Sequence, residues 1–102
     1  MAVRYFNVTG ELTQELLAAG DNIPFTKLSI SNVGTTTGCK IDMFIEKKLL
    51  GKFYLFKGVK LPLGGTFLYE GIRFNNKAGE FGLYCKLTKA ASETPAVDVI
   101  LS

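Results

Sequence analysis

From Cys39 to Glu46 the chain alternates apolar and polar positions, with Cys39, Ile41, Met43 and Ile45 against Lys40, Asp42, Phe44 and Glu46. A period of two marks a half-buried strand, not a helix. The same period recurs along the chain. Thr26, Leu28 and Ile30 share a face opposite Lys27, Ser29 and Ser31, and Phe81, Leu83, Cys85 and Leu87 oppose Tyr84, Lys86 and Thr88. Val97, Val99 and Leu101 line a last strand, and Arg4 to Thr9 predicts a first one, ended by Gly10. The segment 11–19, ELTQELLAA, fits a short helix by composition and a strand by the alternation of Leu12, Gln14 and Leu16. The strands around it favour the second reading.

The stretch 49–76, LLGKFYLFKGVKLPLGGTFLYEGIRFNN, packs apolar residues on both sides of its extended runs and punctuates them with glycine and proline. Gly51 lets the chain turn into Lys52–Phe56, and Gly58 is expected to end that strand. Pro62 lacks a backbone donor and suits an edge or a loop. After Gly64 and Gly65 the chain is extended again from Thr66 to Glu70, and Gly71 permits a bulge before Ile72, Arg73 and Phe74. Polar, turn-rich segments fall at Gly20–Asn22, Asn32–Gly38, Asn75–Gly79 and Lys89–Pro95. About eight short strands at this spacing predict an all-β fold, a single antiparallel β-sandwich of jelly-roll or immunoglobulin-like topology. The whole of 1–102 reads as one domain, with 1–24 either an arm or the first strands.

With 102 residues the chain is long enough for a single core. Its formal net charge of +3, with the lysines scattered, falls short of the basic patch expected of a nucleic-acid-binding domain. No apolar run has membrane-spanning length, and Met1–Tyr5 lacks a secretory signal pattern, so folding in a cytoplasm is expected. Cys39 and Cys85 both fall mid-strand on apolar faces. Without a Trp between them or a sign of export, reduced core thiols are expected in preference to an inter-sheet bridge.

Chemistry is sparse. The chain has no His, which removes the commonest neutral-pH base and the Ser-His-Asp and Cys-His arrangements. The two cysteines have no zinc-like spacing, and Asp42 with Glu46 reads as a solvated strand face, so no metal and no cofactor are expected. Gly58–Thr66 lacks the Gly-Lys-Ser/Thr ending of a phosphate loop and leads into a strand. Glu70 and Glu80 read as turn carboxylates, not a glycosidase pair. The expectation is a protein without enzymatic activity.

What remains is surface. Inward-facing Cys39, Ile41, Met43 and Ile45 leave Phe44 outward, and the same logic turns Tyr84 out. Phe53–Phe56 and Phe67–Tyr69 are apolar on both sides, so one member of each set faces away from the core. Phe44, Tyr54, Phe56, Leu68 and Tyr84 are therefore the candidate partner interface, with cover by residues 1–20 as the alternative. A carbohydrate- or receptor-binding module is a competing expectation, with Tyr54, Tyr69 and Tyr84 as stacking platforms and Asn75 and Asn76 as polar contacts.

The order Ile30-Ser31-Asn32, a Thr-rich loop, KIDMFIEKK, YLFKGVKLPLGGTFLYEGIRFNN, FGLYCKLTKA and VDVILS resembles the small β-sandwich virion structural proteins of tailed bacteriophages over roughly residues 25–102. Leu61, Pro62, Gly64 and Thr66, and then Val97 to Ile100, occupy that family's loose pattern. The resemblance implies a capsid decoration protein bound to the major capsid protein or other virion proteins. A tail, neck or fibre-associated subunit is the variant reading. It further implies a virion location after assembly in the host cytoplasm and self-association as a homo-oligomer; the scattered charge and the lack of a spanning run leave no membrane partner expected and a nucleic-acid partner unexpected. It carries no catalytic residue across.

Overall fold

The computed structural model describes residues 3–19, 24–34, 38–47, 50–74, 81–89 and 94–102, the backbone alone for 72–74. Its strands are β1 (Arg4–Thr9), β2 (Gln14–Leu17), β3 (Phe25–Asn32), β4 (Cys39–Lys47), β5 (Gly51–Leu61), β6 (Thr66–Phe74), β7 (Gly82–Lys89) and β8 (Ala96–Leu101). They form two antiparallel four-stranded sheets, β1-β8-β3-β6 and β2-β7-β4-β5. Successive strands mostly cross from one sheet to the other, and this order is that of a jelly roll, which settles the choice between the two expected topologies. β1 pairs with β8 and β2 with β7, so residues 4–17 lie within the sheets and do not reach away as an arm.

The alternating residues meet between the sheets. Val8, Leu28, Ile30, Val97, Val99 and Leu101 from the first sheet pack against Ile41, Met43, Leu83, Cys85 and Leu87 from the second, all essentially without solvent exposure. Burying each such side chain contributes about 1.5–3 kcal/mol before conformational entropy is set against it. Asn32 is the buried polar residue among those described. Its Nδ2 donates to the Leu61 carbonyl at 3.0 Å, its Oδ1 accepts from Gly34 N–H at 2.9 Å, and its own N–H donates to the Gly65 carbonyl at 2.9 Å. One side chain thus ties the end of β3 to the turn joining β5 and β6. In that turn Gly65 N–H donates to Pro62 O at 2.8 Å, and Gly64, at φ 72°, supplies the positive dihedral that a type II turn needs at its third position.

Three strand readings need correction, and bulges account for each. In β3 the register slips between Phe25 and Lys27, so Phe25 is buried and Thr26 is exposed, off the face it was expected to share with Leu28 and Ile30. In β2 a slip between Glu15 and Leu17 turns both Leu16 and Leu17 inward, and Leu12, expected on the same face, lies ahead of the strand and is 83% exposed. Gly58 does not end β5. At φ 67° it forms a bulge through which the strand continues to Leu61, and its N–H donates to Asp42 Oδ1 at 2.7 Å. The expected bulge at Gly71 is present, at φ 80° where β6 slips against β3.

Cys39 and Cys85 are free and buried. Cys39 stands opposite Lys89 and Cys85 opposite Met43. That register separates them by roughly 13 Å along neighbouring strands of one sheet, past the ~7 Å Cα reach of a disulfide. Burial raises both thiols, Cys85 to about 12.

Candidate docking face

The outer face of the β2-β7-β4-β5 sheet is built from the polar members of each alternation, and register stacks them in rows. Lys60, Lys40 and Thr88 form one row across β5, β4 and β7. Asp42 and Lys86 form the next, followed by Tyr54, Phe44 and Tyr84 with Glu15 beyond them on β2, and then by Lys52 and Glu46. Three aromatic rings therefore stand side by side on a face that points to water.

Phe44 points outward, as the alternation requires, yet it is only 2% exposed. Its ring stacks on Tyr84, with centroids 5.6 Å apart and planes at 15°, and meets Tyr54 at 5.3 Å with a 49° tilt. The Lys52 ammonium caps it at 4.9 Å from the centroid, and Lys57 sits 5.0 Å from the Tyr54 ring. Tyr84 is anchored by donating its hydroxyl to Glu15 Oε2 at 3.2 Å. Burial, that hydrogen bond and the Glu15 and Glu46 charges all disfavour the phenolate and raise its pKa. The rung is rigid in the middle and open at Tyr54, which is 43% exposed.

The five candidate interface residues do not form one patch. Phe44, Tyr54 and Tyr84 come together. Phe56 lies on the inner side of β5, packed against the core, with Phe67 at 5.0 Å and Tyr69 at 5.9 Å, and these rings close the flank of the sandwich between β5 and β6. Tyr69 is thereby removed from any shared stacking platform with Tyr54 and Tyr84. Leu68, 55% exposed, is on the opposite outer face, where register aligns Leu68, Ser29, Ile100 and Tyr5 across β6, β3, β8 and β1. Ile100 and Tyr5 are 38% and 73% exposed. Inward Phe6 and Val8, and inward Val97, Val99 and Leu101, already dictated that Tyr5 and Ile100 face out, so this second strip was open to the same parity argument that found Phe44. Beside it the face turns polar, with Asn7 donating to Asp98 at 2.6 Å and a Ser31–Thr66 hydroxyl contact at 3.0 Å. Asn75, Asn76 and Glu80, and most of the expected turn segments, lie outside the described residues.

A cleft of about 640 Å³ opens at the end of the second sheet, where β4 begins and β5 and β7 finish, lined by Gly38, Cys39, Lys40, Lys60, Leu61, Pro62, Leu63, Thr88 and Lys89. No carboxylate lines it among the described residues. Glu11 reaches Lys89 from outside the cleft, accepting its backbone N–H at 2.9 Å and pairing with its ammonium at 3.9 Å.

No family model and no curated protein matches the chain. Solved structures do. PirA superposes with a TM-score of 0.64 at 10% identity, covering 96% of this chain and 93% of that one. A mitogen from Yersinia pseudotuberculosis follows at 0.55 and 11% identity, over 99% of this chain and 83% of that one. The fold is shared with both over most of each chain. Virus particle proteins resemble it more loosely. Infectious bursal disease virus, Gx strain, gives a TM-score of 0.40 at 12% identity, over 99% of this chain and 33% of that one.

Proposed function

We propose that this chain is a non-enzymatic virion structural protein of a tailed phage, a decoration subunit that binds the capsid shell and its own copies from the exterior. The observation that supports this best is the presence of apolar strips on both outer faces of the sandwich, Tyr54 with Tyr84 on one and Tyr5, Leu68 and Ile100 on the other. A monomer needs neither for its core, whereas a subunit held between a shell and a neighbour uses two surfaces. Each Å² of apolar surface covered on docking contributes about 25 cal/mol, less the freedom lost, and repetition over a shell multiplies the gain. The sequence resemblance supplies the phage assignment. Its residues Leu61, Pro62, Gly64 and Thr66 build the β5–β6 turn, and Val97 to Ile100 form the body of β8.

Mass spectrometry of purified particles tests the proposal, with the chain expected in stoichiometric amount; its absence rejects a virion role. Labelled particles imaged with the tag on the tail or neck would replace the capsid assignment with the tail-associated one. Tyr54→Ala and Leu68→Ala are expected to fold and to weaken particle retention, and full retention by both removes the docking faces from the argument.

A further inference from the structure

We infer that the cleft at the end of the β2-β7-β4-β5 sheet is a binding site for an acidic peptide segment that carries an apolar side chain. Lys40 and Lys60 are directly opposite each other in the β4–β5 ladder and point to the same outer face. Like charges so placed, with Cβ atoms about 5 Å apart, repel and cost stability. No carboxylate stands in their row, which continues to Thr88 on β7. Asp42, the next carboxylate on that face of β4, accepts from Gly58 N–H and stands opposite Lys86, and Glu11 is committed to Lys89. Lys40 and Lys60 thus leave net positive charge at the cleft, none of whose described lining residues is acidic.

Its other wall is apolar. Leu61, Pro62 and Leu63 run along it into a turn held by the Gly65–Pro62 hydrogen bond, with Leu63 48% exposed. Carboxylates suit the lysine pair and an aliphatic side chain suits this wall, and the volume is within the ~300–1,000 Å³ of ordinary ligand clefts. β5 is a sheet edge, so an extended segment can also lie alongside it. A nucleic acid is less well matched, because no aromatic ring lines the cleft for a base to stack on, and the Phe44 row is roughly 13 Å further along the strand. This assignment rests on the docking function proposed above and specifies the partner's chemistry.

The test is fluorescence anisotropy of the full chain with a short fluorescein-labelled peptide of alternating Asp and Leu. Peptides of alternating Asp and Ser and of alternating Lys and Leu, a thymidine oligonucleotide and heparin serve as competitors. The Asp/Leu peptide is expected to bind tightest. Lys40→Glu/Lys60→Glu should weaken it at least tenfold, and Leu63→Ser about threefold, whereas Lys27→Glu on the other sheet should leave it unchanged. Lys40→Gln/Lys60→Gln provides the same comparison if the charge-reversed pair fails to fold. No binding, binding unaffected in a folded double variant, or tighter binding of the oligonucleotide or heparin overturns the inference. Particle sedimentation separates the two claims. A double variant that loses the peptide but stays on particles overturns the cleft's docking role and leaves the virion role intact. A chain absent from particles that still binds peptide through Lys40 and Lys60 supports the cleft and rejects the virion role.

Discussion

Replacing Phe44 by alanine removes a ring that faces outward and is nevertheless 2% exposed. Its burial is worth about 1.5–3 kcal/mol. The stacked contact with Tyr84 and the tilted one with Tyr54 add about 0.5–1.5 kcal/mol each, and the Lys52 contact about 0.5 kcal/mol at an exposed site. The sum is an upper bound, because no sealed cavity is left. Tyr54 and Tyr84 can lean inward and water can fill the remainder, which relieves the cavity penalty of a true core site. The expected loss is therefore about 3 kcal/mol, or roughly 12–24 °C in Tm for a domain of this size. Urea unfolding followed by circular dichroism measures it. Tyr54→Ala, at a ring 43% exposed, should cost only about 1 kcal/mol. A Phe44→Ala loss below about 1 kcal/mol, or one no larger than that of Tyr54→Ala, would refute the claim that this aromatic row is held together from its middle.

Asn32→Ala leaves the Leu61 carbonyl and the Gly34 N–H without their partner and should cost about 2–3 kcal/mol in the same assay, a near-neutral result being incompatible with a buried tie between β3 and the β5–β6 turn. Gly58→Ala places a Cβ at φ 67° with open space around it, so the cost is conformational, about 1–2 kcal/mol; an unchanged midpoint would show that the bulge relaxes. Between a thiol's ordinary range near 9 and the folded value of about 12, Cys85 stays protonated in the folded chain and ionises in the unfolded one. Stability therefore falls as pH rises through that window, by up to about 1.4 kcal/mol per pH unit. Cys85→Ala should flatten the slope between about pH 9 and pH 11 relative to the parent, and identical slopes would contradict the assignment. Disulfide-exchange reagents should label Cys39 and Cys85 at least about 100-fold more slowly in the folded chain than in urea, and rapid labelling would be inconsistent with their burial.

Strands whose alternation runs unbroken were fully legible in the sequence: β4, β7 and β8 place every alternating apolar residue on the inner side, including the half-buried Ile45. Bulges were not. A slip of one residue changes the face of the side chains beside it, which is why Thr26 was misplaced; Leu12 lies ahead of β2, where no strand pairing sets its direction, and a glycine bulge such as that at Gly58 looks like a strand end in sequence. The outward direction of Phe44 and Tyr84 followed from parity alone. That Tyr54 joins them while Phe56 does not depends on irregular pairing of β4 with β5, where the register shifts on both sides of Met43. The cleft was equally hidden, since Lys40 and Lys60 are brought opposite each other only by that same long-range pairing.

β8 lies between β1 and β3 in its sheet, and its pairs with β1 join residues as far apart as Arg4 and Leu101. During synthesis, β1 and β3 must wait for it. At about 5–20 residues per second, several seconds pass between the emergence of β1 and that of the strand that bridges it to the rest of the sheet. Throughout that interval β1 and β3 have no β8 to pair with, and Val8, Leu28 and Ile30 lack Val97, Leu101 and Val99 at their sides. Closing such non-local pairs is slow, on the millisecond-to-second scale of sandwiches. The nascent chain therefore spends its most aggregation-prone period with its first sheet unfinished, and chaperones have their opportunity to bind before Ala96–Leu101 closes it.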